Sequence, residues 1–163
     1  GEALAVGGAA WLALNVTVYA LARLLNVPVG EAGRFLGSFL FPDSASTAQL
    51  WAGRAVFLAA ALGWSLLYPA VAVHLPGPGW FRGAVFGAGI WLVSTLILPL
   101  VGAFHPGVGQ LFSSGSGSMG IPFPGLFGLG FAGSAGVALS VLAHQAFGIT
   151  LGTLTAMEEE NEA

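Results

Sequence analysis

Ala132–Gly152, AGSAGVALSVLAHQAFGITLG, is a long apolar run with one histidine near its middle, and its reading decides the fold. With its flanks it exceeds the roughly 20 residues that an α-helix needs to cross a hydrocarbon core of about 30 Å. It reads as a transmembrane helix over about 130–156. Gly136, Ser140, His144, Gly148 and Gly152 recur at every fourth residue and so form one slowly turning row on the helix surface. Lipid gives helices little hydrophobic drive to associate, so they adhere through close backbone approach over small residues, helped by polar side chains. Other helices are therefore expected to pack on this row.

The rest of the composition agrees. Of 163 residues, 56% are hydrophobic and 7% charged, against roughly 25% charged in soluble domains. The length suggests a single membrane domain over 1–163. A net charge of −3 and four scattered arginines leave no basic footprint for nucleic acid. With no cysteine, disulfides, thiolate metal sites, iron–sulfur clusters and c-type haem attachment are all excluded. The chain begins at Gly1, which reads as a missing initiator or a longer N-terminal segment. Its first apolar run is too long for a signal-peptide core of about 7–15 residues and counts as a span.

Working outward, three further spans are predicted, over about 3–25, 50–75 and 83–104. The first ends at Asn26 and Pro28, because proline cannot continue a helix. Asn15 lies in its middle and reads as an interhelical hydrogen bond before it reads as part of a pathway. Between the first two spans, Ala32, Phe35, Leu36, Phe39 and Leu40 follow helical spacing, which predicts a short amphipathic helix near 30–40 lying in the membrane interface. Ser46 with Gln49 reads as a capping box opening span two. Ala55, Ala59 and Gly63 give that span a small-residue face, and Arg54 is placed to pair with Glu31 or Asp43. Pro69 is expected to kink it. Gly83 and Gly87 form a GxxxG pair on span three, where Pro99 frees a backbone carbonyl. Ser113–Ser118 reads as a flexible loop tip, the prolines and phenylalanines after it as a collar on the membrane surface or on a partner, and the acidic end Glu158–Glu162 as solvated and frayed.

A shift of 80 positions brings Trp11-Leu12 onto Trp91-Leu92, Pro42 onto Pro122 and Ala52-Gly53 onto Ala132-Gly133. This suggests two tandem two-span repeats, 1–80 and 81–160, sharing one orientation. Arg23, Arg34 and Arg54 favour the long-loop face as cytoplasmic against Arg82 alone on the other, a difference too small to fix the orientation.

Three stretches, LLNVPVGEAGRFLGSFLF (24–41), PGPGWFRGAVFGAGIWL (76–92) and LAHQAFGITLG (142–152), give the chain a resemblance to small four-helix bacterial membrane proteins grouped as a domain of unknown function. SSGSGS (113–118) departs from that pattern. The resemblance implies an all-α, four-span fold in a bacterial inner membrane and supplies no catalytic residue.

Scarce buried charge and abundant small-residue faces point to a non-catalytic accessory subunit packed against other membrane subunits and lipid, in a larger complex such as an energy-transducing one. One alternative is a haem- or chlorophyll-type cofactor held by His144, with the neighbouring glycines leaving room for a flat macrocycle. Another is a small-solute or ion transporter lined by His144, Gln145, Asn15 and the Pro99 break. No paired carboxylate lies within a span, and no HExxH or GxSxG motif is present, so no catalytic residue is assigned.

Overall fold

A computed structural model describes residues 2–105, 107, 121 and 124–162. The fold is all-α: α1 (Glu2–Leu25), α2 (Glu31–Leu40), α3 (Ser46–Ala72), α4 (Gly79–Ala103) and α5 (Leu129–Glu162), the last preceded by a 3₁₀ turn at Leu126–Gly128. Four of these are long and apolar enough to cross a membrane, with mean hydropathies of 1.6, 1.8, 2.1 and 1.5. At most 33% of any span's most apolar window is buried inside the protein. Leu12, Val16, Leu66, Ile97 and Leu100 are among the many large apolar side chains facing outward. Apolar surface this extensive suits contact with acyl chains and is atypical of a water-soluble monomer, consistent with an integral membrane protein. The loop tip Ser113–Ser118 lies outside the described residues.

The chain forms two compact units, one of Gly1–Leu21, Leu58–Trp91 and Leu139–Ala163, the other of Ala22–Phe57 and Leu92–Ala138. Each unit draws on both halves of the sequence, so neither coincides with 1–80 or 81–160.

In the first unit the core gathers Val6 and Ala10 of α1, Ala61, Tyr68 and Ala72 of α3, Phe86 and Ile90 of α4, and Phe147 and Leu151 of α5. Phe86 sits edge-on to Tyr68 at 5.1 Å and to Trp64 at 6.3 Å, the ring geometry that aromatic quadrupoles prefer. Gly7 of α1 has no room for a side chain, because a Cβ there would overlap the Ser65 side chain.

In the second unit α2 packs against the start of α3 through backbone. A Cβ on Gly37 would overlap the Gln49 carbonyl, and one on Gly53 would overlap the Gly33 carbonyl. The buried face of α2 is therefore Gly33, Phe35, Gly37 and Ser38, while Phe39 and Leu40 of the expected apolar face are exposed. Glycine spacing, which lets the two backbones touch, has decided this face over side-chain size. The expected capping box is also replaced. Ala45 occupies the cap position, its carbonyl accepting from Ala48 N and Gln49 N, and the Gln49 amide donates to the carbonyls of Phe41 and Pro42. Pro124, of the expected collar, is fully buried in this unit, as is the neighbouring Ile121, while Pro122 and Phe123 lie outside the described residues.

The helix ends follow local rules. α1 closes with Asn26 at φ 52 and Val27 N–H donating to Ala22 O at 2.9 Å, the six-to-one bond of a Schellman cap, with asparagine tolerating the left-handed turn. α5 departs from the uninterrupted helix expected. Ala132 (φ −154) and Gly133 (φ 61, ψ −158) are non-helical, so the long helix proper starts after them and Gly133 supplies a conformation open to glycine. The acidic end is helical to Glu162 instead of frayed.

Candidate functional site

The row on α5 divides in its roles. Gly148 and Gly152 press on α4: a Cβ on Gly148 would overlap the Gly83 carbonyl, and one on Gly152 the Gly79 carbonyl. The contact is reciprocal, since a Cβ on Gly83 would overlap the Gly148 carbonyl oxygen and one on Gly87 that of His144. Gly83, Gly87, Gly148 and Gly152 thus form one seam, extended by Gly79. Sequence reading had left Gly79 in the loop, although its spacing to Gly83 and Gly87 carried the signal. Gly136 meets Ala132 Cβ, in the break before the helix proper, 2.6 Å from where its Cβ would stand, and Ser140 is half-buried with its carbonyl engaged by His144.

Other expected sites are rearranged. Ala55, Ala59 and Gly63 are exposed, and a Cβ on Gly63 would meet nothing within 4 Å among the described residues. Asn15 donates from Nδ2 to Trp11 O at 2.8 Å within its own helix, in place of the interhelical bond expected. The Arg54 guanidinium lies 4.5 Å over the Trp51 ring, a cation–π contact. Gln145, with its amide nitrogen facing α4, donates to Ala84 O and accepts from Ala88 N at 3.3 Å each, bracing the seam.

His144 has Nδ1 at 2.8 Å from Ser140 O. A carbonyl can only accept, so Nδ1 carries the proton and Nε2 holds the lone pair. The space beside Gly148 is filled by the backbone of α4, so this neighbour of His144 serves helix contact and the room expected for a flat macrocycle is not on the α4 side.

A second histidine site was missed from sequence. His105 follows α4, is 6% exposed, and is ringed by Phe35 and Phe39 at 5.9 and 4.2 Å between centroids. Gly107 N–H donates to its Nδ1 at 3.1 Å, which leaves the proton on Nε2. Nε2 then donates to Ser38 Oγ at 2.9 Å, and Ser38 donates onward to Phe35 O at 2.7 Å. The chain of donors closes only around a neutral imidazole. Burial accordingly pushes the His105 pKa below its usual value, against a smaller opposing backbone hydrogen bond.

The first unit also holds a recess of about 300 Å³, lined by Tyr68, Pro69 and Ala72 of α3, Val73 just after it, Gly79 and Arg82 of α4, and Gly152, Thr155, Glu159 and Glu160 of α5. Arg82 and Tyr68 both line it. Arg82 Nε is buried with no hydrogen-bond partner. Tyr68 is 2% exposed, and among the described residues nothing accepts from its hydroxyl. The Thr155 hydroxyl is already committed to Leu151 O at 2.9 Å.

Among the described residues no group of three or more His, Asp or Glu side chains is arranged to hold a metal ion. No family model, no curated protein and no solved structure matches this chain.

Proposed function

We propose that the protein is a non-catalytic accessory subunit of a bacterial inner membrane, packing through α3 against a helix of another membrane subunit. The observation that carries this reading is the exposed row Ala55, Ala59 and Gly63. A helix-interior glycine costs about 1 kcal/mol relative to alanine. At Gly83 and Gly148 close backbone contact inside the chain accounts for that cost, whereas at Gly63 no contact among the described residues does. Small residues every fourth position on a lipid-facing helix make a groove suited to close approach by another backbone.

Purification in mild detergent tests this reading. The expected result is a stoichiometric membrane-protein partner that is lost on Ala59→Leu or Gly63→Leu while helical content and monodispersity of the chain persist. A chain that purifies alone, or a partner indifferent to both substitutions, overturns it.

One observation favours a second reading, a macrocycle-binding protein. The His144 Nδ1 bond to Ser140 O presents Nε2 as a lone pair, the arrangement in which a ligating histidine is held by a carbonyl behind it. It calls for a visible absorption band in the purified protein that disappears in His144→Ala.

A further inference from the structure

The recess between the end of α3, the start of α4 and the end of α5 combines features that a structural role does not explain. Arg82 Nε–H is a buried donor without an acceptor, and the Tyr68 hydroxyl, on the lining of the recess, has no acceptor among the described residues. Native structures leave few such groups unsatisfied. An anionic oxygen would satisfy both. The same recess is lined by Glu159 and Glu160, which would repel a simple anion. A simple cation would suit the carboxylates and leave the donors orphaned. A zwitterion meets both demands.

We propose that this recess binds the headgroup of an aminophospholipid, its phosphodiester oxygens accepting from Arg82 and Tyr68 and its primary ammonium donating to Glu159 and Glu160. The position favours a lipid over a soluble zwitterion. The recess lies where the apolar surfaces of the spans give way to the acidic end of α5, which is headgroup level for helices of this length. Pro69 and Ala72 of α3 with Val73 just beyond them form one wall, and Val73 is 73% exposed, offering an apolar surface along which acyl chains can continue. A volume of about 300 Å³ is that of roughly ten waters at ~30 Å³ each, the scale of one small headgroup. The inference rests on insertion of the spans in a bilayer and is independent of any subunit docking on α3.

The test is native mass spectrometry of the delipidated full chain, re-equilibrated with phosphatidylethanolamine, phosphatidylcholine or phosphatidylglycerol of identical acyl chains. Phosphatidylethanolamine should be retained about tenfold over each of the others, the scale of one charge-assisted hydrogen bond. Tyr68→Phe and Arg82→Gln should each weaken its retention about tenfold. The double substitution Glu159→Gln with Glu160→Gln should abolish the preference over phosphatidylcholine, whose ammonium has no N–H to donate. Asp43→Asn, an exposed charge in the other unit, should change nothing. If Arg82→Gln does not fold, judged by circular dichroism, Tyr68→Phe and the double glutamate variant carry the test. Equal retention of the three lipids, or indifference to Tyr68→Phe and the glutamate variant, overturns the proposal and leaves a water-filled recess. Displacement of the lipid by equimolar glycerophosphoethanolamine overturns the lipid assignment in favour of a soluble zwitterion.

Discussion

Replacing Gly83 by alanine adds one methyl group at the tightest part of the seam between α4 and α5, and the structure fixes what it must cost. The new Cβ would overlap the Gly148 carbonyl oxygen and stand 2.8 Å from its carbon and 3.0 Å from Gly152 Cα. All three are backbone atoms and cannot rotate aside. Restoring ordinary carbon contacts of about 3.5 Å requires the helices to part by roughly 0.5–1 Å, which forfeits a quarter to a half of each van der Waals contact along the seam. With some tens of atom pairs at about 0.1–0.2 kcal/mol each, the loss is about 1–3 kcal/mol. The gain in helix propensity from glycine to alanine offsets at most about 1 kcal/mol. Gly83→Ala should therefore destabilise the protein by about 1–2 kcal/mol. Gly63→Ala, whose Cβ meets nothing within 4 Å, makes the same chemical change without the overlap and should be neutral or stabilising by up to about 1 kcal/mol. Reversible unfolding in mixed micelles, followed by circular dichroism, measures both. A Gly83→Ala protein as stable as the parent, or a Gly63→Ala protein destabilised as much as Gly83→Ala, refutes the assignment of the seam.

Gly53→Ala should destabilise by about 1–3 kcal/mol in the same assay, since its Cβ would overlap the Gly33 carbonyl and drive α2 from α3. Ser38→Ala removes the acceptor of His105 Nε2–H and should cost about 1–3 kcal/mol, the penalty of a buried donor left unpaired. Because the folded pKa of His105 is lowered, its unfolded form takes up a proton first. Its contribution to stability should be complete above about pH 6.5, fall as pH drops below that value, and level off once pH passes beneath the folded pKa. A His105→Gln protein should lose that segment of the pH profile. Asn26→Val places a β-branched residue at φ 52 and should cost about 1–2 kcal/mol, read as a lower thermal midpoint, while Asn26→Gly should be neutral.

The order and approximate limits of the helices were legible because long apolar runs bounded by glycine and proline leave a chain in lipid few alternatives. The GxxxG pair at Gly83 and Gly87 was likewise legible on the α4 side of the seam, and the α5 row in its Gly148 and Gly152 half. Which small-residue rows are used was not. Ala55, Ala59 and Gly63 have the same spacing as Gly148 and Gly152, yet one row is exposed and the other buried under α4. Spacing shows that a backbone can come close, and only the tertiary arrangement decides whether another backbone does.

The polar sites divide in the same way. His144 stood out because it interrupts an apolar run, and its bond four residues back to Ser140 O is local. His105 was not read as a site because Phe35 and Ser38, 70 and 67 residues earlier, make its surroundings. The recess of Tyr68, Arg82, Glu159 and Glu160 likewise draws on three helices, and no spacing within one of them announces it. Composition and periodicity are properties of single segments, so the sequence alone determined four membrane-length helices and their punctuation. Pairings between distant segments are set by how backbones and side chains fit in three dimensions, and those decided the seam, the neutral histidine and the recess that Tyr68, Arg82 and the two glutamates line.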